Sequence, residues 1–77
     1  MKEILILGPG CAKCEKLYEN VRQAVALLGL QCDVKKIKDI QEIMKHGVAM
    51  TPGLVIDGDV KLTGKVPSVD ELKNILA

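Results

Sequence analysis

Glu3-Ile4-Leu5-Ile6-Leu7-Gly8-Pro9-Gly10-Cys11-Ala12-Lys13-Cys14 joins an apolar run, a turn and a closely spaced cysteine pair. Ile4–Leu7 are apolar without interruption until Gly-Pro-Gly stops them. A short unbroken apolar run of this kind reads as a strand covered on both faces, hence central in a sheet. Beyond the turn, Cys14, Leu17, Tyr18, Val21, Ala24, Val25 and Leu28 fall at the i, i+3, i+4, i+7 spacing of an amphipathic helix. Gly29 fits the position just past its end.

The pattern continues outward. Cys32, Val34 and Ile37 alternate with charges, which predicts a second strand over Gln31–Lys36. Strand, helix and strand in succession imply a parallel pair. Asp39 with Glu42 predicts a capped short helix whose buried side is Ile40, Ile43 and Met44, ended by Gly47. Leu54-Val55-Ile56 reads as a third strand. Asp57-Gly58 is a two-residue hairpin turn, and Val60–Thr63 pairs back as a fourth strand. Pro67 and Ser68 open a last helix, with Ser68 and Glu71 as a capping box and Val69, Leu72, Ile75 and Leu76 as its apolar face. The expected order is β-α-β-α-β-β-α. This is an α/β fold with one four-stranded mixed sheet and helices on both faces, formed by residues 1–77 as a single domain.

Composition narrows the function. The 77 residues are 48% hydrophobic and 27% charged, a globular balance. Tyr18 is the one aromatic residue, so the core is aliphatic. Eleven basic and ten acidic residues leave a net charge of +1, which favours neither nucleic acid nor an anionic membrane as partner. Lys35, Lys36 and Lys38 read as a solvated strand end. No stretch is long enough to span a membrane, and Ile4–Leu7 falls short of the roughly 7–15 residues of a signal h-region. A cytoplasmic protein is expected. Three cysteines are an odd number, unlike a secreted disulfide scaffold.

Cys11 and Cys14 carry the chemistry. Residues three apart on a helix are neighbours, so the two sulfurs can meet. The free N–H groups and dipole of a helix N-terminus favour a thiolate there. Cys11, nearer that end and more exposed, is expected to attack a substrate disulfide. Cys14, on the apolar stripe, is expected to resolve the mixed disulfide. Lys13 and Lys16 add positive charge that favours the Cys11 thiolate, and Glu15 works against them. Structural zinc needs four ligands. Beyond the pair, the soft candidates are Cys32, read as a small core residue, and His46, read as a helix-end residue facing the dipole, so no metal site is expected. Gly8-x-Gly10 lacks the third glycine of a dinucleotide fingerprint, and no phosphate loop is present.

Thr51-Pro52 precedes the third strand, where a proline is unremarkable by itself. Together, Cys11-Ala12-Lys13-Cys14, Met50-Thr51-Pro52-Gly53, Val55-Ile56-Asp57-Gly58 and Gly64-Lys65-Val66-Pro67-Ser68 make the chain resemble the thioredoxin superfamily. Within it the chain is similar to small, glutaredoxin-sized redox-active disulfide proteins of archaea and bacteria. The resemblance implies Cys11 as nucleophile, Cys14 as resolving thiol and a cis Pro52. It implies that the Thr51 backbone pairs with an extended substrate segment, so that Thr51 and Pro52 bind substrate. It also implies that Pro52 keeps metal from the thiols. Thioredoxins proper have Trp-Cys-Gly-Pro-Cys, whereas Gly10 and Ala12-Lys13 stand here; Leu5 stands where they carry a buried aspartate.

The expected function is a thiol-disulfide oxidoreductase, a small electron carrier reducing protein disulfides. It would need no bound cofactor beyond the Cys11–Cys14 disulfide. Its reductant would be a flavin enzyme using NADPH, a ferredoxin-linked system or glutathione. The alternative is a small Cu(I) chaperone, since thiolates suit that ion, or a redox-sensing binding module. Such chaperones run β-α-β-β-α-β and end on a strand, so Ser68–Ala77 separates the two readings.

Overall fold

The computed structural model describes residues 2–10 and 12–76. The elements are β1 (Lys2–Leu7), α1 (Ala12–Leu28), β2 (Cys32–Ile37), α2 (Ile40–Lys45), β3 (Gly53–Ile56), β4 (Asp59–Thr63) and α3 (Val69–Leu76). This is the expected order. The second strand begins and ends one residue later than its alternation suggests, because its register follows β1, with Lys2 opposite Cys32 and Leu7 opposite Ile37.

The sheet order is β2-β1-β3-β4. β1 pairs parallel with β2 and antiparallel with β3, where Ile4 lies opposite Ile56 and Leu7 opposite Gly53. A strand with neighbours on both edges and helices on both faces tolerates no exposed polar side, which accounts for the unbroken run Ile4–Leu7. Successive side chains of β1 divide between two cores. Ile4 and Ile6 join Leu17, Val21 and Ala24 of α1, Leu54 and Ile56 of β3, and Leu72 and Leu76 of α3. Leu7, with Leu5 at its margin, joins Val55, Ile43 of α2 and Val48 on the other face.

Local chemistry sets the boundaries. Asp57 and Gly58 have φ of 50° and 86°, the positive pair required by a two-residue hairpin whose twist matches its strands. A bulge in β4 shifts the register between Leu54 and Val55, so that Leu62 and then Val60 face them. At α3 the Glu71 N–H donates to Ser68 Oγ at 3.2 Å, while Glu71 Oε1 accepts from the Ser68 N–H at 3.4 Å. That is the reciprocal capping box. The chain thus turns into a helix after its fourth strand, unlike the strand-ended order of the metal-chaperone alternative.

Two expectations are corrected. Asp39 caps α2 by accepting from the Gln41 N–H at 2.9 Å, but Glu42 does not complete a box; it pairs with Lys45 at 3.1 Å. Of the apolar residues of α2, Ile43 alone is buried, while Ile40 and Met44 are 61% and 68% exposed. A helix of six residues is under two turns long, so it presents one side chain squarely to the sheet. Lys36 is exposed near the end of β2, as expected of a solvated strand end; its Nζ donates to both Glu15 oxygens, at 3.0 and 2.8 Å, and sits 4.3 Å from the Tyr18 ring centre.

Candidate functional site

β1 ends at Leu7, and Gly8 continues its ladder by donating to the Ile37 carbonyl at 2.9 Å. Gly10 then takes φ of 96°, a conformation that only glycine adopts freely, and the chain turns into α1. Cys14 is the third residue of that helix and is 4% exposed, on the stripe that continues through Leu17 and Val21. Lys13 and Lys16 are both exposed and form no ion pair among the described residues. Cys11 lies outside the described residues, so its predicted place at the helix start is not part of this geometry.

Glu15, expected to work against Lys13 and Lys16, is engaged by a third lysine. Its carboxylate is held by Lys36 of β2, and the hydrogen bond from Lys36 lowers its pKa below the ordinary glutamate value. Burial opposes that shift, and the charges of Lys36 and Lys38 add to it. Paired in this way, Glu15 subtracts less from the positive potential of Lys13 and Lys16.

The second half of the site is the loop before β3. The Thr51–Pro52 peptide bond is cis. Pro52 is fully buried, and its carbonyl accepts from the Gly64 N–H at 2.7 Å, tying the end of β4 to this loop. Met50, 64% exposed, lies across Gly64, where a side chain would come within 3.3 Å of its terminal methyl. No backbone hydrogen bond engages Thr51 among the described residues.

Gly8 brings the two halves together. A Cβ built on Gly8 would overlap Cys14 Sγ, would lie 3.0 Å from Cys14 Cβ, and would lie 4.0 Å from Thr51 Cβ. The buried thiol and the Thr51–Pro52 loop therefore flank one bare stretch of backbone. The sequence reading placed Cys14, Thr51 and Pro52 in the site but gave Gly8 no part in it. The signal for Gly8 is a glycine directly after an apolar strand and ahead of a cysteine motif.

Beside Thr51 runs an apolar groove of about 370 Å³, lined also by Pro9, Ile40, Ile43, Met44 and Val48. Ile40 and Met44, misassigned to the core by periodicity, are its walls. A hollow of about 450 Å³ lies elsewhere, between α1 and β2, against Tyr18, Arg22, Val25, Ala26, Cys32 and Val34. It is lined by none of the predicted site residues, and Cys32 packs at the margin of the aliphatic core there. His46 caps the C-terminus of α2. Among the described residues no three His, Cys, Asp or Glu side chains gather around a common point, and no helix is long and apolar enough to cross a membrane.

Comparison with known proteins gives a consistent set of matches. The family model described as a thioredoxin domain matches residues 2–77. A thioredoxin of Methanothermobacter thermautotrophicus is 43% identical over 77 residues, covering all of both chains. A thioredoxin of Methanocaldococcus jannaschii is 43% identical over 76 residues, covering 99% of this chain and 87% of that one. A probable thioredoxin of Archaeoglobus fulgidus is 29% identical over 68 residues, 88% of this chain and 74% of its own.

Proposed function

Since this chain belongs to the thioredoxin domain family, we propose that it reduces protein disulfides through a Cys11–Cys14 dithiol cycle. The observation that carries the reading is the convergence at Gly8 of the buried Cys14 sulfur and the Thr51–Pro52 loop. In the cycle, the Cys11 thiolate attacks one sulfur of the substrate disulfide, forming a mixed disulfide and expelling the first substrate thiolate. Cys14 then attacks Cys11, closing the Cys11–Cys14 bond and releasing the second thiolate. The protein dithiol loses two electrons and the substrate gains them. A reductase drawing on NADPH through a flavin, a ferredoxin-linked reductase, or glutathione restores the dithiol.

Each other residue has a part in this reading. Lys13 and Lys16 favour the attacking thiolate by their charge. Thr51, whose backbone has no internal partner among the described residues, offers its amide and carbonyl to an extended substrate segment. Pro52 holds that loop against the sheet. The apolar groove beside Thr51 suits a protein substrate better than a small polar disulfide. Asn20 is the one buried polar side chain among the described residues, and Leu5 packs beside the α2 core, so no buried carboxylate takes the Cys14 proton. That proton passes to solvent or to the departing thiolate. The protein works in the cytoplasm without a bound cofactor.

The test is dithiothreitol-driven reduction of a disulfide-bonded test protein. The wild type should accelerate it, Cys11→Ser should abolish the acceleration, and Cys14→Ser should accumulate protein–substrate mixed disulfides. Acceleration that survives Cys11→Ser would overturn the assignment.

A further inference from the structure

We propose that Gly8 is a positioning residue for Cys14, its missing side chain being what lets the Cys14 sulfur lie where it can attack Cys11. The inference rests on the reading of Cys14 as the resolving thiol.

Gly8 is not a glycine of conformational need. Gly10, Gly29, Gly47, Gly58 and Gly64 have positive φ, and Gly8 does not, so an alanine could adopt its backbone. Nor is it a free loop residue. Its N–H is held by the Ile37 carbonyl at 2.9 Å, which fixes it to the end of the β1–β2 ladder. What excludes a side chain is Cys14. An added Cβ would overlap Sγ and stand 3.0 Å from Cys14 Cβ. The sulfur could escape such an overlap by rotating, but the Cβ is attached to the backbone of α1 and cannot. Thr51 closes the other side at 4.0 Å. The fixed ladder on one side and the helix on the other leave Cys14 one direction of adjustment, away from β1. A displacement near 1 Å in a reacting group can slow its step by orders of magnitude. The effect falls on the resolving step, because that is the step in which Cys14 is the nucleophile.

The experiment uses the full chain with Cys32 replaced by Ala throughout, reduced and mixed with equimolar dithiobis-nitrobenzoate, whose released thiolate is coloured. Cys11 attack forms the Cys11–nitrobenzoate mixed disulfide and releases the first coloured thiolate. Cys14 attack breaks that bond, forms the Cys11–Cys14 disulfide and releases the second; the reagent is reduced to two thiols and the protein dithiol is oxidised. For Gly8→Ala the ratio of second-phase to first-phase rate should fall at least about tenfold. A smaller folded fraction scales both phases together and leaves this ratio alone, so the ratio separates positioning from general damage. An unchanged ratio overturns the proposal. A parent protein with no second phase overturns the dithiol cycle itself, a different failure. If Gly8→Ala does not fold, the same change is made beside Cys14→Gly, which removes both Sγ and Cβ, with Cys14→Gly alone as the reference. Recovery of the fold there supports the contact, and continued failure beside a folded Cys14→Gly overturns it, because Gly8 would then be required by something other than Cys14.

Discussion

Asn20 shows what a single side chain can do in so small an aliphatic protein. It lies on the buried side of α1, 7% exposed, and its Nδ2 donates to the Pro67 carbonyl at 3.0 Å. The bond joins α1 to the segment entering α3 across 47 positions of sequence. Asn20→Ala should leave the Pro67 carbonyl without that donor and destabilise the fold by about 1–3 kcal/mol. Urea unfolding reads this directly. Loss of well under half a kcal/mol would mean that water replaces the side chain. The apolar stripe of α1 was legible at Leu17, Val21 and Ala24. Asn20 was not, because a polar residue inside a stripe declares itself only when its distant partner is known.

At the scale of elements, each boundary has a local cause. The hairpin needs positive φ at Asp57 and Gly58, and the residue types announce it. The capping box of α3 works the same way. Ser68→Ala removes the acceptor of the Glu71 N–H. It should cost about 0.5–2 kcal/mol, with faster hydrogen exchange of the amides in the first turn of α3. Equal exchange in the two proteins would show that packing of Leu72 and Leu76 alone holds that turn. α2 obeys the same rules at its start, where Asp39 caps it, but its length decides its burial. Ile40 and Met44 have helical spacing and still face outward, lining the groove beside Thr51.

Across the whole molecule, Glu15 and Lys36 tie α1 to the edge strand β2, and Lys36 also covers Tyr18. The depressed Glu15 pKa means that the folded form binds this proton less readily than the unfolded chain does. The pair therefore contributes fully above the unfolded glutamate value of about 4.3, and that contribution is lost as pH falls through the lower folded value. The group is exposed, so the effect is small and shrinks with salt. Lys36→Gln should flatten the dependence of stability on pH in this acid range at low salt, as measured by urea midpoints. An identical slope in both proteins would sink the assignment. The radius of gyration, 11.2 Å, is close to the roughly 11.5 Å expected of a compact chain of this length.

The sequence by itself determined the element order, the central place of β1, the hairpin, the capped last helix and the cysteine motif. All of these are written in backbone periods, in φ preferences at single residues, or in spacings within one turn. Only the tertiary structure decided that Gly8 and Cys14 share one space with Thr51, that Glu15 pairs with Lys36 of β2, and that Ile40 and Met44 wall a groove. Those outcomes depend on which surfaces meet once the sheet order is set. A linear pattern records the period of each element and carries no account of the neighbour against which it packs.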